Sequence, residues 1–358
     1  MRVKRSVTGL FAWIGFLKAQ RKYDANWDNN VRVIAGEQAL CSKIAIVVLY
    51  QPTGLRDSFF ETLNHLKENG YSVLAVSNAP LSEADQAALK PHVWKMCERP
   101  NYGYDLGAYR DGVWLLRRRD VRPQHVILMN DSIWFPLCAD NTAIARLEES
   151  GHGLNGLVRK TKASQDNSRS EEPSGFIEAY FYLANLKDAA TLAWWDRFWT
   201  NLKLTAGRDY LKEGKVSYSY TKSGQKLYTI ASRRTFLDAM KRLSDEELRD
   251  VLRYAAYPSA NLRQEGQRLL ESLAGDDWRQ QVHAHLCSAV RLDPFYGVFP
   301  YGSERAFGLG FMKRTPKPLF KEMHGAYLRA VAAGALPHPM QHTLDEVTVR
   351  VDGYPRLD

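Results

Sequence analysis

Four short apolar runs, each followed by a turn and a helical pattern, constrain the fold of this chain most strongly. The runs are KIAIVVLY (43–50), YSVLAVSN (71–78), VWKMCE (93–98) and HVILMN (125–130). Aliphatic and β-branched runs of this length are typical of strands that are buried on both faces. Because the strands alternate with helices, the sequence predicts an α/β fold with a Rossmann-like, mostly parallel sheet flanked by helices.

The pattern changes near residue 235, from where helical segments follow one another with acidic residues early and basic residues late. We therefore expect three parts in the chain. A basic amphipathic segment covers 1–36, the α/β domain covers 37–234, and a helical C-terminal region with a tail covers 235–358.

Charge and cysteine usage limit the class of protein. The chain has 49 Lys and Arg against 40 Asp and Glu, a net charge of +9, which favours anionic partners. Its four cysteines are widely spaced without a CxxC pair, which indicates reduced thiols in a cytoplasmic protein. No 18-residue apolar run predicts a membrane-spanning helix, and no nucleic-acid-binding motif is present, so we expect no nucleic-acid partner.

The first 36 residues carry part of the positive charge, with seven Lys and Arg against two Asp. Apolar residues recur there at three- and four-residue steps: Val3, Val7, Leu10, Ile14 and Leu17. One interpretation is a helix through which residues 1–22 bind an anionic membrane surface, with the protein peripheral at the inner face of the cytoplasmic membrane. The other is a helix that packs on the core of the protein, and the sequence leaves both open.

Polar residues follow all four predicted strands. They are Tyr50-Gln51, Ser77-Asn78, the turn-rich segment 101–105 and Asn130-Asp131-Ser132. The carboxyl ends of parallel strands meet at one edge of the sheet, where open α/β folds bind their ligands. The sequence therefore predicts one ligand site at this edge, with glycines near Asp105 that admit close backbone approach.

Two motifs in this region carry a resemblance to a known family. NYGYDLGAYRDG (101–112), followed by ILMNDSIWFPL (127–137), resembles the rhamnan synthesis protein F family of bacterial glycosyltransferases. Weaker similarities follow in GLNGLV (153–158), FIEAYFYLA (176–184) and EGKVSYSYTKSG (213–224), so that the resemblance covers about residues 43–235.

The resemblance implies a GT-A-type hexosyltransferase that uses a nucleoside-diphosphate sugar, with dTDP-rhamnose first among several donors. The acceptor would be a glycan or a lipid-linked glycan in cell-surface polysaccharide or lipopolysaccharide assembly. The candidate donor-binding residues are Ser77, Asn78, Asn101, Gly103, Asp105, Arg110, Asn130, Ser132, Arg159 and Lys160.

The metal requirement stays open at this stage. Where GT-A enzymes have Asp-x-Asp, this chain has Asn130-Asp131-Ser132. Mg²⁺ or Mn²⁺ can still bind through Asp131, donor phosphates and water. Without a metal, three cations are candidates for neutralising the leaving diphosphate. They are Arg110, Arg159 and Lys160.

An inverting transfer needs one carboxylate that removes the proton of the acceptor hydroxyl. Glu178 is a candidate because apolar neighbours on its predicted strand would solvate its charge poorly, and Glu213 is a candidate by resemblance. Asp131 completes the set of expected catalytic residues. The alternative function is a catalytically silent GT-A-like scaffold in a polysaccharide assembly complex, which the departure from Asp-x-Asp permits.

Overall fold

The computed structural model is an α/β protein, and it describes residues 15–161, 175–204, 214–257, 259–291 and 293–352. The strands are β1 (Arg32–Ala35), β2 (Lys43–Leu49), β3 (Ser72–Ser77), β4 (Lys95–Glu98), β5 (His125–Asn130), β6 (Ile133–Trp134), β7 (Leu154–Lys160), β8 (Phe176–Ile177), β9 (Phe181–Asn185), β10 (Leu227–Ser232) and β11 (Met312–Lys313).

Helices flank these strands and dominate the C-terminal part of the chain. They are α1 (15–25), α2 (Trp27–Asn30), α3 (Asp57–Glu68), α4 (Glu83–Leu89), α5 (Tyr104–Arg118), α6 (Ala143–Glu148), α7 (Ala189–Asn201), α8 (Lys215–Lys222), α9 (Arg233–Met240), α10 (Asp245–Arg253), α11 (Ala260–Glu271), α12 (Asp276–Ala289), α13 (Phe295–Val298), α14 (Pro300–Phe307), α15 (Pro318–Ala332) and α16 (Gln341–Asp352). The helical region expected from residue 235 onward is therefore present.

In the described part of the chain, nine strands form one sheet in the order β1-β4-β3-β2-β5-β9-β7-β10, and β8 pairs with β7. The four strands expected from the apolar runs, β4, β3, β2 and β5, are parallel neighbours. Antiparallel strands extend them, with β1 on β4 and β9 on β5. The prediction of an α/β fold around a parallel sheet is thus confirmed.

The described residues divide into two compact units. The first takes its residues from 15–131, 151–155 and 179–227, and the second from 132–150, 156–178 and 228–352. These bounds differ from the expected boundary at residue 36, because the described residues of the N-terminal segment lie inside the first unit.

Helix α1 packs on the protein's own core through one face. Tyr23 of α1 is buried, as is Trp27 of the following α2, and the Gln20 side chain donates to the carbonyl of Leu202 and accepts from the amide of Leu204, at 3.0 Å each. Of the two interpretations of the N-terminal segment, core packing therefore applies to the described part. Residues 1–14 lie outside the described residues. No helix in the described ranges is long and apolar enough to cross a membrane.

The strand expected over 176–184 is wrong as a single element, since it is divided into β8 and β9. β8 pairs with Arg159 and Lys160 of β7, whereas β9 pairs with β5. The chain changes neighbours between the two strands, so Glu178 lies in the connecting segment and not on a strand. The expected loop over 161–175 falls almost entirely outside the described residues.

In the second unit, the short ladder of β6 and β11 is covered by α16. The Trp134 ring is fully buried, with the guanidinium groups of Arg314 and Arg350 at 4.9 and 5.1 Å from its centroid. Its Nε1–H donates to Glu346 at 2.8 Å, and Arg314 Nη1 donates to the same carboxylate oxygen at 3.1 Å. These contacts hold the segment that follows Asp131 against the C-terminal helix.

Candidate functional site

The carboxyl ends of the parallel strands meet at one edge of the sheet in the first unit, as the topology predicts. The Asp131 amide donates to the Val48 carbonyl at 3.0 Å, and the Asn78 amide donates to the Leu49 carbonyl at 2.9 Å. The residues that leave β2, β3 and β5 are therefore tied to one another by their backbones.

Asp131 is half-buried and is oriented by the end of β2. Its Oδ2 accepts hydrogen bonds from the Tyr50 amide at 3.0 Å and from Gln51 Nε2 at 3.1 Å. Gln51 is itself fixed, because its Oε1 accepts from the Arg56 amide at 2.9 Å. Among the described residues, no donor reaches Oδ1 of Asp131, so one oxygen of an oriented carboxylate remains for a ligand.

A second carboxylate lies at the same edge. Asp105, on the first turn of α5, is exposed and accepts from Asn130 Nδ2 at 2.9 Å. Tyr109, one helical turn later, is buried and donates to the Ala179 carbonyl at 3.2 Å. Burial raises the pKa of Tyr109 well above its ordinary value, and the charges of Asp105, then of Tyr182 and Asp131, raise it further. Both aspartates thus act on the same phenol.

This donor set fits a divalent ion only in part. In the ranges that the structure describes, no three His, Cys, Asp or Glu side chains converge on one point. Asp131 and Asp105 offer carboxylate oxygens, which Mg²⁺ and Mn²⁺ prefer, and Mg²⁺ is commonly held by one or two carboxylates together with substrate phosphates and water. The residues therefore suit an ion that a diphosphate helps to bind.

The glycines of the first motif are explained by packing within the chain. Gly103 has φ +75°, and a Cβ there would lie 3.2 Å from the Leu204 side chain. A Cβ on Gly107 would lie 2.1 Å from the carbonyl oxygen of Tyr102. Gly107 therefore excludes a side chain by close backbone contact, and Gly103 disfavours one through its left-handed backbone. Donor contact by Gly103 remains a prediction.

Several expected donor-binding residues are engaged inside the first unit. Arg110 is fully buried, with Nη2 at 2.6 Å from Asp24 and its guanidinium 4.3 Å from the Trp114 ring. A group without exposed surface does not meet a diphosphate, so the structure favours a structural role for Arg110. Asn78 and Ser77 are buried as well, whereas Asn101 is exposed.

The remaining candidates belong to the second unit, apart from Glu213, which lies outside the described residues. The Glu178 side chain is 12% exposed, 3.7 Å from Lys313 Nζ and 3.4 Å from the Tyr296 hydroxyl. Ser132 and Lys160 are exposed, and Arg159 is nearly buried.

The sequence analysis missed a buried ionic network beside the first motif. The Asp111 carboxylate accepts from Arg99 Nε and from the Tyr23 hydroxyl, each at 2.6 Å. The signal was present, since Asp111 belongs to the stretch of α5 that also carries Val113 and Leu116 of the core. A carboxylate among such neighbours requires buried partners.

Comparison with known proteins agrees with the motifs. Residues 73–235 match the family model described as rhamnan synthesis protein F, which confirms the resemblance over that segment. The uncharacterized protein y4gN of Sinorhizobium fredii is 32% identical over 248 residues, 68% of this chain and 62% of the relative, so the chain spans less than two thirds of that protein. A crystal structure of a putative nucleotide-diphospho-sugar transferase from Desulfovibrio desulfuricans aligns at 10% identity, over 54% of this chain and 81% of the other, with a TM-score of 0.33.

Proposed function

We propose that this protein is a GT-A-type glycosyltransferase that moves a sugar from a nucleoside-diphosphate donor to a growing cell-surface polysaccharide or lipopolysaccharide glycan. The observation that carries the proposal is Asp131, an oriented carboxylate with one uncommitted oxygen at the carboxyl edge of a parallel sheet. The match to rhamnan synthesis protein F over 73–235 supports the reaction class and makes dTDP-rhamnose the first donor to test.

The candidate residues fall into two groups, one that would act on the donor diphosphate and one that would act on the acceptor hydroxyl. Glycosyl transfer passes through an oxocarbenium-like state while the bond to the diphosphate breaks. Asp131 and Asp105 would hold Mg²⁺ or Mn²⁺, which would supply positive charge to the leaving diphosphate. Glu178 or Glu213 would take the proton from the acceptor hydroxyl.

A silent scaffold of the same fold is the second candidate, and Asn130-Asp131-Ser132 is the observation that favours it. A single carboxylate in place of the pair in Asp-x-Asp lowers the number of metal ligands by one. Sugar transfer by the purified protein would exclude this alternative. Donor binding without any transfer to acceptor or water would support it.

The site is tested by ligand binding and turnover. The ligands to test are dTDP, UDP, GDP and dTDP-rhamnose, each with and without Mn²⁺. The correct donor should raise the midpoint of thermal unfolding, because a ligand that binds only the native state stabilises it, and calorimetric titration should give its affinity. Asp131→Asn should abolish that shift and the turnover. Asp277→Asn, on the exposed surface of α12, is the matched control and should change neither.

The proposal fails if the wild-type protein binds none of these compounds and transfers no sugar. It fails at the assigned residue if the folded Asp131→Asn variant turns over donor at the rate of the Asp277→Asn control.

We also propose that residues 1–22 bring the protein to an anionic surface at the inner face of the cytoplasmic membrane. Lys18, Arg21 and Lys22 are exposed on α1, and within the described ranges none has an acidic partner. The two aspartates of the segment do not offset them, because Asp24 pairs with Arg110 and Asp28 with Arg118.

Vesicle binding tests the membrane proposal. Each cation near an anionic bilayer contributes about 1 kcal/mol, so replacing Lys18, Arg21 and Lys22 by Gln should weaken binding to phosphatidylglycerol vesicles by about 100-fold. High salt should weaken the wild type similarly. The control has the same change at three exposed lysines elsewhere: Lys67, Lys187 and Lys222. Equal binding by both triple variants would contradict the proposal.

A further inference from the structure

A buried cluster around Asp111, which we call the Asp111 hub, connects the N-terminal helices to α5. Oδ2 of Asp111 accepts from the Tyr23 hydroxyl and from Arg99 Nε, each at 2.6 Å. Oδ1 accepts from Trp27 Nε1 at 3.2 Å and lies 3.4 Å from Arg110 Nη2. The side chains of Arg99 and Asp111 have no exposed surface.

The charges of the hub balance. Two guanidinium groups, Arg99 and Arg110, meet two carboxylates, Asp111 and Asp24, and only Asp24 is partly exposed. Burial raises the pKa of Tyr23, and the charge of Asp111 raises it further. The hydroxyl therefore stays protonated and donates its hydrogen bond. Removing Asp111 would leave the buried guanidinium of Arg99 without its carboxylate partner, so the charged members of the hub stabilise one another.

Arg99 connects the hub to the candidate donor site through two further hydrogen bonds. Its Nη1 donates to Oδ1 of Asn78, at the end of β3, and its Nη2 donates to the carbonyl of Tyr102, just before the turn that carries Asp105. The Tyr23 ring stacks on Tyr102, with centroids 4.9 Å apart and planes 26° from parallel. One buried guanidinium therefore fixes two of the polar segments that meet at the sheet edge.

We propose that Tyr23 and Arg99 are positioning residues for the 101–105 loop, and that α1 is thereby a structural part of the donor site. The inference rests on the proposed function for its effect on donor binding. It goes beyond the family resemblance, because Tyr23 lies outside the matched residues 73–235. Tyr23 touches no donor in this account and acts through Asp111, Arg99 and Tyr102.

The test compares two conservative variants of buried, hydrogen-bonded tyrosines. Tyr23→Phe keeps the stack on Tyr102 and removes both hydrogen bonds of the hydroxyl, the one it donates to Asp111 and the one it accepts from Arg99 Nε at 3.3 Å. Tyr220→Phe is the matched control, since Tyr220 is 1% exposed and its hydroxyl bonds Thr191 at 2.9 Å. Both should lower stability, and Tyr23→Phe by more, because it loses a bond to a charged carboxylate and the bond from Arg99, whereas Tyr220→Phe loses one bond between hydroxyls.

Only Tyr23→Phe should loosen the loop. We expect hydrogen exchange of the amides in 99–105 to rise about tenfold, the change that corresponds to losing about 1.4 kcal/mol of local stability. The affinity for the donor nucleotide found in the thermal-shift panel should fall by a similar factor, with no such change in Tyr220→Phe. Trp27→Phe, which removes the bond to Oδ1, should act in the same direction.

The outcomes separate the two proposals. If Tyr23→Phe and Tyr220→Phe leave exchange in 99–105 equally unchanged, the hub serves stability alone and the inference is overturned. If the wild type binds no nucleotide or nucleotide sugar, the proposed function fails, while the exchange measurement still decides whether Tyr23 holds the loop.

Discussion

The structure allows the loss in the free energy of unfolding to be predicted most directly for Asp111→Asn. The substitution keeps the shape of the side chain but removes the charge that faces Arg99 at 2.6 Å and Arg110 at 3.4 Å, both without exposed surface. Breaking one partner of a buried ion pair costs about 3–5 kcal/mol, because the remaining charge stays buried. Asp24 still pairs with Arg110, so we expect a loss near the lower end, about 3 kcal/mol.

Urea unfolding followed by tryptophan fluorescence measures this loss. With a denaturant dependence of about 3 kcal/mol per M, a destabilisation of about 3 kcal/mol lowers the midpoint by about 1 M. The matched control is Asp28→Asn, whose carboxylate lies 2.7 Å from Arg118 but on side chains that are 78% and 44% exposed. Exposed pairs contribute about 0–1 kcal/mol, so the control midpoint should hardly move.

Equal midpoints for the two variants would refute the reasoning. In that case the distance and burial of the Arg99–Asp111 pair would not determine its contribution, and water or relaxation of the loop would have to compensate the lost charge. A lower midpoint for Asp28→Asn than for Asp111→Asn would have the same meaning.

Two further predictions concern proton transfer and pH. Glu178→Gln or Glu213→Gln, whichever removes the base, should lower turnover by about 10²–10⁴-fold with donor affinity unchanged, and full activity in both variants would place the base elsewhere. Burial lowers the pKa of His65 and His324 from 6.5 to about 4. As the pH falls, the unfolded chain binds these protons first, so the contribution of the two histidines to stability is full only well above pH 6.5 and is lower by about 2 kcal/mol per histidine at pH 5. Urea unfolding at pH 7 and pH 5 should show this loss, and His65→Leu should reduce it by about 2 kcal/mol.

Local pattern was sufficient for the parallel centre of the sheet. HVILMN (125–130) became β5 with the expected bounds, and at α4 the sequence SEAD (82–85) forms a capping box between Ser82 and Asp85. Both signals are contained in a few consecutive residues, and neither depends on a distant partner. The contact of Asp105 with Asn130, at the end of β5, also followed, because parallel topology fixes which strand ends meet.

Features that depend on residues far apart in the chain could not be predicted from the local sequence pattern. Glu178 left the predicted strand because β8 and β9 pair with different neighbours, and pairing partners are not encoded in the local sequence. Arg110 was expected at the leaving diphosphate because a guanidinium group pairs well with phosphate oxygens. Its burial depends on Asp24, 86 residues away, and on a helix whose packing the sequence left undecided.

The ladder that joins β6 to β11 has a consequence for how the chain is made. Trp134 leaves the ribosome long before the groups that cover it, since Glu346 follows it by 212 residues. At a synthesis rate of about 5–20 residues per second, roughly 10–40 s pass between the synthesis of Trp134 and that of α16, which covers its indole ring. During that interval Trp134, three residues after Asp131, is uncovered on the nascent chain. An exposed aromatic side chain of this kind is a typical binding site for chaperones. A product that terminates before α16 keeps that surface for its lifetime, and proteolysis rather than slow refolding is its expected fate.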